Sequence, residues 1–290
     1  MSSSAKVSAS FYGSSRQRMV LDRIVVHGLL IFFVLLALGP IFIVIQNSFK
    51  TTPAIFGGPF DLPTVKTFSV DGYIRVFTRG NFFLNYRNSL VVTVSTIVLT
   101  VVFSALAAYG LVEYRLKITP VIAGLFVVGI MLPIRLGTVP ILEIMIAWRL
   151  VDTLTALVLV YTAMSVPIAV TLMMAYFRTV PTEIKEAARM DGAGEFRTFL
   201  IVLPVVKPGL AAVATLTMLP VWNDLWFPLI LSPGRSNQTV TLGVQQFVGQ
   251  FLSDYPALLA ALTLGILPLV VLYVVFSRQF VRGLSQGVGK

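Results

Sequence analysis

Two short stretches hold most of the side chains able to do chemistry. Residues 182–196 read TEIKEAARMDGAGEF and carry four acids and two bases, in a chain that is 57% hydrophobic and only 12% charged. Trp222-Asn223-Asp224-Leu225-Trp226 sets an amide and a carboxylate among tryptophans. Neither stretch has the makings of bond chemistry. Carboxylates and bases at three- and four-residue spacing suit an ion-paired helix surface. Indole faces beside Asn and Asp suit a ring that carries hydroxyls, with the rings stacking and the polar groups taking the hydroxyls. The competing readings are a solvated loop helix for the first stretch and an interfacial aromatic belt for the second.

The elements that must position them are apolar. Mean hydropathy is +0.89, and soluble domains are about 45–50% apolar. Ile24–Ile45, Asn88–Val112, Thr153–Phe177 and Tyr255–Ser277 are uncharged or nearly so. Each exceeds the roughly 18–20 residues needed to cross a bilayer as helix. Ile118–Ile134 is shorter, and the run from Pro208 gains its length by passing Asp224. The pattern predicts an all-α polytopic membrane protein with six spans, at about 22–46, 88–112, 118–134, 154–178, 205–231 and 257–277. Residues 1–21, rich in serine, are expected to form a disordered cytoplasmic tail, 22–277 the membrane domain, and 278–290 a cytoplasmic C-terminal tail. Residues 179–204 are a cytoplasmic segment within the domain. Residues 135–152, where Arg135, Glu143, Arg149 and Asp152 alternate with apolar residues, suit an amphipathic helix at the outer interface.

Charge and composition exclude other classes. The formal net charge is +10. With the N-terminus inside, the cytoplasmic pieces hold 14 Lys and Arg and the outer pieces 8, a topological bias and not a nucleic-acid footprint. Cysteine is absent and His27 is the one histidine, so disulfides and a metal centre are not expected. The first span is followed by no small-residue cleavage site and reads as an uncleaved anchor. Proline recurs at Pro40, Pro133, Pro167, Pro208, Pro220 and Pro268, which points to kinked helices re-satisfied inside a bundle. Ser104, Ala105, Ala107, Ala108 and Gly110 allow close helix approach.

Within the charged segment, Pro181 suits a helix start and Gly192 a helix end. Ile184, Ala187 and Ala188 fall at i, i+3, i+4 as one narrow apolar face. A helix this short is marginal alone and needs something to hold it.

The segment resembles the EAA signature of binding-protein-dependent ABC importers, in particular the sugar-importer permeases similar to the second permease of the maltose system. Glu186-Ala187-Ala188 with Gly192 matches the opening of that signature and Ile201-Val202-Leu203-Pro204 its close. WNDLWFPLIL, TVTLGVQQF and FVRGLSQG extend the likeness over most of residues 85–290. One spacing departs: eight residues separate Gly192 from Ile201 where the family has nine. A loop absorbs the difference, or the second short helix sits differently on its partner.

The resemblance implies a coupling helix that docks in a cytoplasmic ATPase subunit. Glu186 would carry the main polar contact, Ala187 and Ala188 would allow close approach, and Gly192 would permit the bend. Arg189, Asp191, Leu203 and Pro204 belong to the same signature. It further implies a second homologous permease, two ATP-binding subunits and an extracytoplasmic binding protein, in a bacterial-type inner membrane with both termini cytoplasmic. ATP and Mg would be held by the partner subunits and no cofactor by this chain, which contains no G-x-x-x-x-G-K-[ST] phosphate loop. The carried solute would be a sugar or sugar-like compound, and Trp222, Asn223, Asp224 and Trp226 would line its path. Related tails reach between the ATPase subunits, which makes Gly283–Lys290 a secondary contact; Arg278 and Arg282 also fit simple interfacial anchors. A secondary transporter or channel would instead need mid-membrane ionisable relays or inverted repeats. A scaffold without a path is a third alternative.

Overall fold

The computed structural model describes residues 4–114, 117–249 and 253–288, with side chains placed between residues 23 and 271 of these. In chain order the α-helices are α1 Ser4–Asn47, α2 Thr52–Gly57, α3 Asp71–Arg79, α4 Phe82–Glu113, α5 Thr119–Met131, α6 Thr138–Ala147 and α7 Leu154–Arg178. There follow α8 Thr182–Met190, α9 Glu195–Val202, α10 Lys207–Asn223, α11 Trp226–Leu231, α12 Val240–Val244 and α13 Tyr255–Val288. No strand is present among the described residues, apart from an isolated antiparallel bridge between Lys50 and Phe68. The chain is an all-α polytopic membrane protein.

Among the described residues three helices are long and apolar enough to cross a membrane unaided: Arg23–Asn47, Phe82–Glu113 and Leu154–Arg178. Two further candidates are bent pairs, α5 with Ile134–Ala147 and α9 with α10. The expected third span ends at Met131, because Leu132 precedes Pro133 and takes extended geometry (φ −69°, ψ 124°). Pro Cδ disfavours helix at the residue before it. The chain then passes through a 3₁₀ turn, Ile134–Gly137, into α6, at 86° to α5. The amphipathic stretch expected over 135–152 is therefore helical over Thr138–Ala147.

The expected fifth span, 205–231, is also divided. α10 ends at Asn223, and Asp224 turns the chain (ψ 135°) before α11. At the N-terminus, where a tail over 1–21 is expected, helical backbone begins at Ser4. α13 continues past the expected limit of 277 to Val288. Residues 1–3 and 289–290, at the ends of the two expected tails, lie outside the described residues.

α4 and α7 form the centre, packed side by side along their lengths. Of the small residues expected at close helix contacts, Ser104, Ala105 and Ala108 of α4 are buried, together with Thr93, Thr96 and Thr100, while Ala107 and Gly110 are half-buried. At one end of this pair, Tyr109, Met173, Phe177, Phe199, Val202 and Val206 make a core that includes α9 and the start of α10. At the other, Val92, Met145, Leu157, Tyr161, Phe227 and Leu231 join α6 and α11 to α4 and α7. A third cluster seats α3 and α12 on the start of α13 through Val76, Phe82, Val240, Ala257 and Ala261.

Hydrogen bonds and an ion pair lace the second end. Asn88 donates to the carbonyls of Ser236 and Gln238 at 2.9 and 3.0 Å, and Ser89 accepts from Val240 N–H at 2.8 Å. Asp152 accepts from Gly234 N–H at 2.9 Å. Arg75 of α3 pairs with Asp254 at 2.6 Å, and Asp254 also accepts from Ala257 N–H at 3.2 Å as the cap of α13.

The α3–α13 contact needs a missing side chain. A Cβ on Gly72 would lie 2.3 Å from the carbonyl oxygen of Pro256 and 2.6 Å from its carbon, and backbone cannot rotate aside. Gly72→Ala is expected to lower stability by about 1–3 kcal/mol, seen as a reduced thermal midpoint of the purified protein. Gly28→Ala, which meets nothing within 4 Å, should leave the midpoint unchanged. Equal midpoints for the two variants would refute the close approach.

Candidate functional site

The charged segment hangs from the end of the bundle where α4 and α7 finish and α10 begins. α7 ends at Arg178, the Thr179 hydroxyl donates to the Tyr176 carbonyl at 2.8 Å, and Pro181 in extended geometry turns the chain into α8. Pro181 thus sits just before the helix and not within its first turn. α8 closes as its glycine predicts. Gly192 has φ +78°, its N–H reaches Arg189 O at 3.0 Å, and Ala193 N–H reaches Ala188 O at 2.9 Å. This paired closure with a left-handed residue satisfies the last carbonyls, and a side chain at that φ is strained. α9 starts at Glu195, and the chain bends by 79° between α9 and α10 around Leu203 and Pro204. Leu203 is half-buried against the core and Pro204 is exposed.

The inward face of α8 is not the one its apolar spacing suggests. Ile184, Lys185 and Ala188 face the bundle, with Lys185 and Ala188 buried, whereas Ala187 is exposed. Glu183, Glu186, Ala187 and Met190 form the outward face, continued by Asp191, Gly192 and Phe196. Met190 is 87% and Phe196 68% exposed, two large apolar side chains in the open on a segment that also exposes Glu183 and Glu186. Of the signature residues, the structure therefore brings Glu186, Ala187, Asp191 and Gly192 to one accessible surface. It turns Ala188 inward and Arg189 sideways.

Lys185 is buried because an acid meets it. Its Nζ donates to Glu113 Oε2, the last residue of α4, at 2.7 Å. Arg189 donates to the other oxygen of the same carboxylate, and its Nε and Nη2 also reach the Glu195 carboxylate at 3.2 and 3.3 Å. Hydrogen bonds to Glu195 first, and to Glu113 second, push the Arg189 pKa above its ordinary value. Two acids and two bases from α4, α8 and α9 thus close into a neutral node, with Glu113 and Lys185 only 11% and 9% exposed. Glu113 is the site residue that the sequence reading missed. Its signal was an acid directly after an apolar span, facing two bases four residues apart.

The Trp-Asn-Asp-Leu-Trp stretch lies at the opposite end of the bundle and is largely committed to the fold. Trp222 is buried, donates from Nε1 to Gly265 O at 3.1 Å and meets Tyr86 edge-on at 5.7 Å. The Asp224 carboxylate accepts from the Tyr161 hydroxyl at 2.8 Å and from Phe227 N–H at 3.0 Å, with Arg135 at 3.8 Å. Asn223 donates to Leu219 O at 2.9 Å and is exposed. Trp226 is half-exposed, donates to the Thr138 hydroxyl at 3.0 Å and has the Arg135 guanidinium 5.9 Å from its ring centroid. Asn223 and Trp226 are the members of this set that present surface. A cavity of about 230 Å³ between α4, α10 and α13, lined by Leu90, Ile97, Met218 and Trp222 among others, is apolar and does not match a hydroxyl-rich ligand. Among the described residues no group of His, Cys, Asp and Glu could hold a metal ion.

Comparisons with known proteins give the family and the fold. Residues 6–286 match the family model described as binding-protein-dependent transport system inner membrane component. The chain is 31% identical over 264 residues to the diacetylchitobiose uptake system permease protein NgcG of Streptomyces coelicolor, covering 90% of this chain and 87% of that one. It is 29% identical over 265 residues to the arabinooligosaccharides transport system permease protein AraQ of Bacillus subtilis, covering 89% and 94%. Its fold is similar to a chain in the crystal structure of a bacterial ABC transporter involved in the import of the acidic polysaccharide alginate. There the TM-score is 0.77 at 23% identity, over 91% of this chain and 97% of that one. An all-helical membrane bundle, matched over nearly its whole length, belongs to the family of binding-protein-dependent transport system inner membrane components.

Proposed function

We propose that this chain is the transmembrane permease subunit of an ATP-driven ABC importer for a sugar or sugar-like solute. It works with a second homologous permease, two ATP-binding subunits that hold ATP and Mg, and an extracytoplasmic binding protein that delivers the solute. The chain itself is non-catalytic. Both termini and the α8–α9 segment face the cytoplasm, where the ATPase is found, and α6 and α11 face outward. Closure of the ATPase pair would push α8 and rock the two permeases between inward- and outward-open forms.

One observation carries this reading. α8 is fastened to the bundle by its inner face while Glu186, Ala187 and Met190 stand free on the other. A helix built only to fill a loop would have no need of so firm an attachment behind an exposed mixed surface. The relatives whose names speak of diacetylchitobiose and arabinooligosaccharides support the solute class.

Affinity purification of the tagged chain from its native membrane should recover an ATPase subunit. Uptake should survive a proton uncoupler and stop when that ATPase is disabled. Uptake abolished by the uncoupler, with no ATPase recovered, would favour an ATP-independent secondary transporter.

A further inference from the structure

The covalent chain joins α8 to α7 through three residues and, through α9, to α10. A push on α8 would then enter the bundle through those two helices. The structure adds a third route. Glu113 is the one acid in the 32-residue helix α4 and lies 72 residues from Lys185 and 76 from Arg189. Its two oxygens take different cations, Oε2 from Lys185 and Oε1 from Arg189. A two-point grip of this kind fixes both the position of α8 and its rotation about its own axis. The apolar contacts of Ile184 and Ala188 alone would let α8 slide, because hydrophobic contact is non-directional. The grip is largely withdrawn from water, so unpairing it leaves a buried charge, which is strongly unfavourable. At its far end α4 holds the 232–240 loop through Asn88 and Ser89.

We propose that Glu113 is a positioning residue for coupling, whose paired carboxylate makes α4 move with the coupling helix and so carries the stroke to the opposite end of the bundle. This rests on the importer reading, and the test separates the two.

The chain has no cysteine, so spin labels can be placed singly. In the assembled complex, label pairs would join exposed Val98 of α4 and, separately, exposed Leu216 of α10 to exposed Val270 of α13. Distances are compared without nucleotide and after trapping with ATP and vanadate. In the native background both pairs should shift. With Glu113→Gln the α4 pair should shift by less than half its native value while the α10 pair keeps its shift, and Glu113→Asp should restore at least half of the loss. An α4 shift in Glu113→Gln equal to the native one, or an α4 pair that does not move in the native complex, overturns the proposal. If Glu113→Gln does not assemble, Lys185→Gln, which leaves Arg189 on the carboxylate, is measured in the same way. It should give an α4 shift between the native value and zero, and a full native shift refutes the role. Failure of the native chain to bring down any ATPase sinks the importer reading itself and is visible before any variant is made.

Discussion

Glu186→Arg is expected to reduce uptake and ATPase co-purification at least tenfold while leaving the chain inserted and folded. Glu186 stands on the outward face of α8, exposed and turned away from the node formed by Glu113, Lys185, Arg189 and Glu195. An exposed substitution of this kind usually changes stability by no more than about 0.5 kcal/mol, so the thermal midpoint of the isolated chain should hold. At an interface the outcome differs. Setting like charges against each other costs several kcal/mol, and tenfold in affinity needs only about 1.4 kcal/mol. Two measurements on the same preparation decide it: the amount of ATPase subunit recovered per permease, and uptake by intact cells. Recovery and uptake at the native level would mean that the exposed face of α8 is not where the ATPase grips.

Asp224→Ala should produce the largest loss of stability. The carboxylate accepts from the buried hydroxyl of Tyr161 and from the Phe227 N–H in the first turn of α11. Truncation leaves both donors unpaired, at about 1–3 kcal/mol each, so a total of about 2–6 kcal/mol is expected. Arg135 adds little, since it stands at 3.8 Å and is 70% exposed. Asp224→Asn, which keeps an acceptor oxygen, should cost less than about 2 kcal/mol. The pair of variants also separates two roles. A structural carboxylate predicts lost thermal stability with no change in the solute concentration for half-maximal uptake. Direct contact with the solute predicts the reverse in the Asn variant. A native midpoint in Asp224→Ala would contradict the structural assignment.

The charged segment was legible because dense charge between apolar runs has few explanations, and because Gly192 needs a left-handed φ to end a helix. Helix class and the buried small residues of α4 were legible for the same local reasons. What the sequence hid was non-local or directional. The partner of Lys185 and Arg189 lies beyond two intervening spans, and Glu113 looks like part of a basic turn when read beside Arg115 and Lys117. With that acid in place Lys185 buries its stem and takes the position that apolar periodicity would assign to Ala187. Hydropathy also measures length without direction. It runs across Asp224 as though the helix continued, although a carboxylate can satisfy the opening N–H of a new helix. The break after Met131 was accessible, since Leu132 precedes a proline, but its 86° turn depends on how α6 packs against α7 and α11.

Two of the membrane helices stop short, and they stop together. α5 has 13 residues and α10 has 17, about 20 and 25 Å of rise, against roughly 30 Å of hydrocarbon. Beyond each break lies a polar residue, Arg135 after α5 and Asp224 after α10, and these two meet across 3.8 Å. Lipid tails cannot solvate such a junction. The two breaks therefore answer each other inside the protein: α6 and α11 take over where α5 and α10 stop, and Arg135 and Tyr161 both turn to the one carboxylate of Asp224.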